Sequence, residues 1–434
     1  RKGCLDIKPG HSRLLIFLLP NYFPSGWCSR LPSDSIVERE FSSPTVFKDE
    51  SKLSPEYVPP RLPHREEELK RLAQTFRVMV ESPGSTAPRL MVRGPLGTGK
   101  TALTKRFGAD LQAYASKKGV PLKFVHVNCR EEGSFYSALK TLIKKSLGEE
   151  IPERGYSAEE LLETLVEFLE KCGLYMLLAL DEVEVLVRKE GSDPLFNLTR
   201  LGEKIPLEKP RRLALIFIFR EPECEDALAL LDPSTRSTLG HNTVKLGKYT
   251  PAQLKRILQY RVEEAFKEDA VLPEALELAA DLAGEYGDAR LAIELVLLAG
   301  KQADIERSPK VLPEHVRAAQ LHVNPAIRGE HLKALTLHEK LLLLAAARLL
   351  QSSDSAYVSF GEVEREYQAA CEEYRENPRR HTQLWKYVKA LSASGLLNAK
   401  TSGRGLRGRT TLIGLPAPSS LVRSQIEGLL EEAG

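Results

Sequence analysis

Residues 94–101 read Gly94-Pro95-Leu96-Gly97-Thr98-Gly99-Lys100-Thr101, lodged between an apolar run at Leu90–Val92 and a helical pattern at Thr101–Ser116. The pattern G-x-x-x-x-G-K-[ST] between a strand and a helix constrains the fold more than any other feature of this chain. Glycines let the backbone turn so that its N–H groups converge on phosphate oxygens, and the following helix adds the positive end of its dipole. Such a loop places Pro95, Leu96, Gly97, Thr98 and Gly99 around a nucleotide's phosphates, with Ala102 at the head of the helix. Lys100 then reaches the β and γ phosphates, and the Thr101 hydroxyl is a ligand for Mg²⁺.

A second run, Leu174-Tyr175-Met176-Leu177-Leu178-Ala179-Leu180, ends in Asp181-Glu182. A buried strand would deliver both carboxylates to the C-terminal edge of its sheet, where ligands of open α/β folds bind. Asp181 is suited to hold Mg²⁺ through water, and Glu182 to orient and polarise an attacking water. An acidic pair alone would be an ordinary solvated strand end; its place downstream of the phosphate loop makes it a candidate for chemistry. The expected cofactors are therefore ATP or ADP with Mg²⁺.

The surrounding pattern supplies a fold. A Pro-rich strap, Ser54 to Arg65, precedes a helical stretch at 66–80. Strands at Leu90–Val92, Leu122–Val127, Tyr175–Leu180, Leu213–Phe219 and Thr243–Leu246 alternate with helices at Thr101–Ser116, 134–147 and 158–172. That alternation predicts an α/β domain, a mostly parallel sheet covered on both faces. Helical patterns at 251–267, 273–286, 288–305 and 313–321 follow, with Pro251, Pro273 and Pro313 near helix starts, and suggest a helical second domain. A third region carries helices at 336–350, 359–375 and 380–394 and short strands near 396–400 and 409–413. The expected division is an uncertain tail at 1–45, then domains at 46–248, 249–325 and 326–434.

Net charge says little about partners, because 62 basic residues nearly balance 59 acidic ones. Distribution says more. Between Glu376 and Glu427 there is no acidic residue, while Arg379, Arg380, Lys386, Lys389, Lys400, Arg404, Arg407, Arg409 and Arg423 are basic. Loss of one sign over such a stretch suggests a polyanion partner. The helix at 380–394 puts Leu384, Val388 and Leu391 on one side, leaving His381, Thr382, Gln383, Lys386 and Lys389 to face a groove. It reads as the recognition helix of a winged helix-turn-helix. The following hairpin, with Arg404-Gly405-Leu406-Arg407 and Arg409 at its tip, suits phosphates or a narrow minor groove. Trp385 lies within the apolar helix pattern and reads as core.

Six cysteines lie far apart with no C-x-x-C pair and read as free intracellular thiols. The apolar run Leu14–Leu19 is far too short to span a bilayer. A soluble, cytoplasmic, chromosome-associated chain without a membrane partner is expected.

The phosphate loop, the Asp181-Glu182 pair and the helical region after them resemble the AAA+ class of ATPases. Further stretches are similar to archaeal origin-recognition and cell-division-cycle-six-like replication initiators. These are Phe47-Lys48-Asp49-Glu50, Leu53 to Pro59, Leu62 to Glu66, Val127-Asn128-Cys129-Arg130, Leu231-Asp232-Pro233 with Arg236-Ser237, Gly287-Asp288-Ala289-Arg290 and Gly403 to Thr411. The resemblance runs from about residue 45 to about residue 425. It implies that Val58, Pro59, His64 and Arg65 pack against the adenine. By the same resemblance Arg290 reaches from the lid toward the γ phosphate, and Arg236 stabilises transition-state charge in a neighbouring subunit's site. It also implies a second DNA contact in the segment from Arg130 to Tyr136, double-stranded origin DNA as partner, and contact with other initiator subunits and the replicative helicase. One departure stands out: Arg220-Glu221 follows the strand where the family has a small polar residue, which predicts tight nucleotide binding with slow hydrolysis. A winged-helix transcription regulator, a signal-transducing ATPase and a scaffold holding ADP structurally are the competing readings.

Overall fold

The computed structural model describes residues 36–147, 155–206, 208–240, 242–323, 329–401 and 410–432. Residues 1–44 and 45–434 make two separate units. In the first, the described residues form a short helix, Ile36–Phe41.

The second unit is built on five parallel strands: β1 (Arg89–Gly94), β2 (Leu122–Asn128), β3 (Tyr175–Asp181), β4 (Leu213–Arg220) and β5 (Thr243–Lys245), in the order β2-β3-β4-β1-β5. Strand β4 shows why the sheet sandwiches between helices. Leu213, Leu215, Phe217 and Phe219 enter one core, with helices Phe135–Leu147, Ala158–Lys171 and Asp193–Lys204. Ala214, Ile216 and Ile218 enter the other, with Leu72 and Phe76 of Glu66–Phe76 and Leu103 and Phe107 of Lys100–Lys117. Period-two side chains that are apolar on both faces can be buried only in a doubly covered sheet. Because β4 lies between β1 and β3, its C-terminal residue Arg220 sits between the phosphate loop after β1 and the carboxylates after β3.

Helices Pro251–Ala265, Pro273–Gly284, Ala289–Ile305 and Pro313–Val323 form a helical lid with its own core. Val46, Phe47 and Leu53, ahead of the strap, lie in the lid's core, not the sheet's, with the Phe47 ring 4.6 Å from that of Phe266. Lys48 and Asp49 donate backbone N–H groups to the Ala265 carbonyl.

The third layer packs Leu337–Gln351, Phe360–Glu373, His381–Ala393 and Ser419–Glu431 around Tyr367, Leu384, Val388 and Leu391. A three-stranded antiparallel sheet completes it: β6 (Val358–Ser359), β7 (Asn398–Thr401) and β8 (Thr411–Gly414), in the order β6-β8-β7. Two helices followed by a two-stranded hairpin make a winged helix-turn-helix. The helices at Val183–Glu190, Glu223–Ala229, Pro233–Gly240 and Ser419–Glu431 are not among the elements read from sequence.

Candidate functional site

The loop after β1 keeps its shape through Gly97 and Gly99, whose φ angles of 70° and 83° are left-handed. A Cβ on Gly97 would overlap the Asp288 carboxylate of the lid, so glycine is required there by space as well. Thr98 is fully buried, and its hydroxyl donates to the Pro95 carbonyl at 2.8 Å. Lys100 folds over the loop, donating to the Gly94 and Pro95 carbonyls at 2.7 and 2.8 Å. Burial lowers its pKa below the ordinary lysine value, and the nearby carboxylates of Asp181 and Glu184 offset part of that.

Thr101 donates its hydroxyl hydrogen to Asp181 Oδ2 at 2.6 Å. The same oxygen lies 3.1 Å from His126 Nε2, and Oδ1 accepts the Glu182 N–H at 2.9 Å. Burial alone would raise the Asp181 carboxyl, yet the hydrogen bonds from His126 and Thr101 hold it below the usual carboxylate range. Glu182 adopts a left-handed φ of 53°, and its buried Oε2 has no hydrogen-bond partner. The exposed Arg130 stands with Nη1 3.5 Å from that Glu182 oxygen.

Between the two motifs, the Arg220 guanidinium pairs with Glu223 at 3.0 Å and approaches Glu184 at 4.0 Å. Glu184 is fully buried, which pushes its carboxyl up, and it accepts the Arg220 N–H at 3.2 Å.

A cleft of about 340 Å³ opens between loop, strap and lid. Of the sequence candidates, Val58, Pro59, Leu96, Gly97, Gly99, Lys100, Thr101, Ala102, Asp181, Glu182 and Arg290 line it; Arg220 does too. Arg65 does not line it. Its guanidinium is buried behind the loop, donating to the Thr98 and Gly247 carbonyls at 3.0 Å and stacking 4.1 Å from the Tyr249 ring. His64 and Pro95 also lie off the lining, as does Arg236, which is exposed on Pro233–Gly240. That helix is capped by Asp232, which accepts the Ser234 and Thr235 N–H groups.

Sequence reasoning missed His126, Tyr57, Tyr260 and Arg261. Arg261 is buried and donates to the Lys52 and Tyr57 carbonyls at 2.8 and 3.2 Å, bolting strap to lid beside the cleft. A histidine between Val125 and Val127 of β2, next to the strand that ends in Asp181, was the available signal for His126.

On the winged helix, Arg379, Arg380, His381, Thr382, Lys386 and Lys389 are exposed and Gln383 is half-buried. His381 Nδ1 lies 2.9 Å from Glu364, and Phe360 meets the His381 and Trp385 rings edge-on. Trp385 is partly buried against the core. The wing candidates Arg404, Gly405, Leu406, Arg407 and Arg409 lie outside the described residues. Two members of the basic stretch are engaged elsewhere: Lys400 with Glu277 and Asp281 of the lid, and Arg423 with Glu427 and Gln351. Among the described residues, no group of histidines, cysteines or carboxylates would hold a metal ion on its own, and no helix is long and apolar enough to cross a membrane.

Fold and cleft together define a three-part protein: a AAA domain, matched by its family model over residues 84–228, a Cdc6-type AAA+ ATPase lid over 255–321 and a Cdc6 C-terminal winged-helix domain over 330–425. An ORC1-type DNA replication protein 2 of Sulfolobus acidocaldarius is 35% identical over 412 residues, covering 92% of this chain and 98% of its own. The chain belongs to the ORC1-type DNA replication protein family. Among solved structures, Cdc6p of Pyrobaculum aerophilum superposes with a TM-score of 0.77 at 33% identity, covering 89% of this chain and 99% of that one. The Aeropyrum pernix ORC2 protein in ADPNP–ADP complexes gives 0.60 at 27% identity, over 89% and 99%. The ORC1 protein of the same organism in complex with DNA gives 0.58 at 30% identity, over 89% and 97%.

Proposed function

We propose that this chain is a nucleotide-controlled replication initiator. In this reading it binds ATP or ADP with Mg²⁺ in the cleft, grips origin duplex DNA with its winged helix, and helps recruit the replicative helicase beside other initiator subunits. The carrying observation is the 2.6 Å pairing of Thr101 with Asp181 under a lid that touches the phosphate loop. The donor set suits the ligand: a hydroxyl and a carboxylate side by side are a Mg²⁺ pair, and Lys100 is a cation for phosphate. Nucleotide complexes of a relative at 27% identity and a DNA complex of one at 30% support both halves.

Glu182 would orient water, with Arg290 and Arg220 bringing positive charge to the terminal phosphate. Arg220, tied to Glu184 and Glu223, stands where a neutral group would position that water, and slow turnover follows. On the DNA side, Arg379, Arg380, Thr382, Lys386 and Lys389 would contact the duplex.

Footprinting on duplex repeats beside a replication start, with ATP and then ADP, tests the reading. Protection of those repeats that changes with nucleotide supports it; protection confined to promoters points to a transcription regulator. Turnover on the order of tens per minute without DNA would contradict the slow-hydrolysis part.

A further inference from the structure

Lys400 belongs, by sequence, to the acid-free basic stretch that suggests a DNA surface. Its surroundings say otherwise. Lys400 lies on β7, opposite Leu412 of β8. Its ammonium donates to Glu277 Oε1 at 2.6 Å and to Asp281 Oδ2 at 2.7 Å, and it sits 3.7 Å from the centre of the Tyr357 ring. An ammonium has three N–H donors. Two are held by carboxylates and the charge lies over a π face, so the cation is already neutralised by its own neighbours before any DNA phosphate approaches.

Glu277 and Asp281 belong to the lid, and Tyr357, just ahead of β6, joins them from the winged-helix side. Glu277 and Asp281 are four residues apart, hence on one face of the helix Pro273–Gly284. Tyr357 donates its hydroxyl to the same Asp281 oxygen at 2.7 Å, and Lys255 binds the other Glu277 oxygen at 3.1 Å. Burial would raise the Glu277 carboxyl, but the two ammonium groups hold it below the usual range. Tyr357 itself stands on a fixed base, because the buried Arg317 of the lid donates to the Ser355 and Ala356 carbonyls at 3.2 and 2.9 Å.

The far end of that lid helix reaches the nucleotide cleft. The Gly287 N–H bonds back to the Ala283 carbonyl, the Ala289 N–H donates to the Gly97 carbonyl at 3.0 Å, and Asp288 packs on Gly97. Asp281 is two residues from Ala283. One short helix therefore carries the turn that touches the phosphate loop and the carboxylates that hold β7.

We propose that Lys400 is a positioning residue: it fastens the winged-helix sheet to the lid, so that a lid shifted by nucleotide carries the DNA-binding module with it, and it does not touch DNA. The proposal rests on the reading of this chain as a nucleotide-controlled DNA binder.

The test measures affinity of full-length protein for a fluorescein-labelled random-sequence duplex over a salt series, with a non-hydrolysable ATP analogue and with ADP. Lys400→Met should leave the slope of log K against log salt unchanged while bringing the two nucleotides' affinities together. A slope flatter by about 0.9 would show a lost phosphate contact and overturn the proposal. The variant Glu277→Gln with Asp281→Asn tests the latch from the lid side. It should likewise bring the two nucleotides' affinities together; a nucleotide difference as large as the wild type's would overturn the latch.

Amide exchange across Thr411–Gly414 without DNA gives an independent readout. The wild type should differ between nucleotides and either variant should not; an undiminished difference in both variants overturns the latch. Should the wild type bind no duplex, the DNA reading fails by itself while the exchange comparison still decides the latch. Wild-type exchange and affinity that ignore nucleotide would overturn the coupling.

Discussion

The nucleotide cleft and the exposed helix His381–Ala393 both gather positive charge, yet they hold it in opposite ways. At the cleft and behind its loop, Lys100 and Arg65 are buried; Lys100 donates to the Gly94 and Pro95 carbonyls, and Arg65 to those of Thr98 and Gly247. On His381–Ala393 and just before it, Arg379, Arg380 and Lys386 are exposed, and none forms an ion pair among the described residues. Buried, hydrogen-bonded charge is preorganised and little screened; exposed charge is mobile and strongly screened. The first suits one small ligand in fixed geometry, the second a long polyanion met through released counterions.

The contrast breaks most sharply at Lys100. Lys100→Ala should weaken nucleotide binding by about a hundredfold or more while leaving the salt slope for duplex unchanged, as titration calorimetry and anisotropy can check. A similar loss of DNA affinity at every nucleotide concentration would show that the two sites are not separate. Next comes Arg65→Ala, which strips the clamp from Thr98 and Gly247. Stability should fall by about 2–4 kcal/mol in chemical denaturation, with nucleotide affinity falling alongside. An unchanged affinity would reduce Arg65 to packing.

Arg380→Ala with Lys386→Ala should do the reverse of Lys100→Ala. The salt slope should flatten by about 0.9 for each phosphate contact removed, with nucleotide affinity intact. An unaltered slope would take this helix out of the interface. The smallest effect concerns His338, buried behind that helix with its Nδ1 2.8 Å from the Tyr367 hydroxyl, which also accepts the Arg379 N–H. Burial and the nearby Arg379 lower its pKa below the ordinary 6.5. The unfolded chain therefore binds the proton more readily, so stability is full above the ordinary value and is lost as pH falls toward the depressed one. Between about pH 7 and pH 5.5 the melting temperature should drop by about 1–3 °C more in the wild type than in His338→Gln.

What could be read in advance follows the same contrast. Phosphate-loop chemistry sits in eight consecutive residues, and Asp181-Glu182 ends a strand whose apolar run is unmistakable, so both were legible. The parallel sheet and the winged helix followed from periodicity, as did Leu384, Val388 and Leu391, all buried. The clamp made by Arg65 was not legible because its partners, Thr98 and Gly247, are 33 and 182 residues away. Lys400 looked like one more DNA cation because Glu277 and Asp281 lie more than a hundred residues upstream. Charge composition reports how many cations a stretch has, while only the fold decides which are already engaged. The helix Ser419–Glu431 did carry a local signal, with Val422, Ile426 and Leu430 at i, i+4 spacing.

The most direct test of nucleotide control is duplex affinity of the wild type and of Lys100→Ala, each measured with a non-hydrolysable ATP analogue and with ADP at one salt concentration. The account predicts different affinities for the two nucleotides in the wild type and no difference in Lys100→Ala. Equal affinities in the wild type, or an equal difference in both proteins, would contradict it.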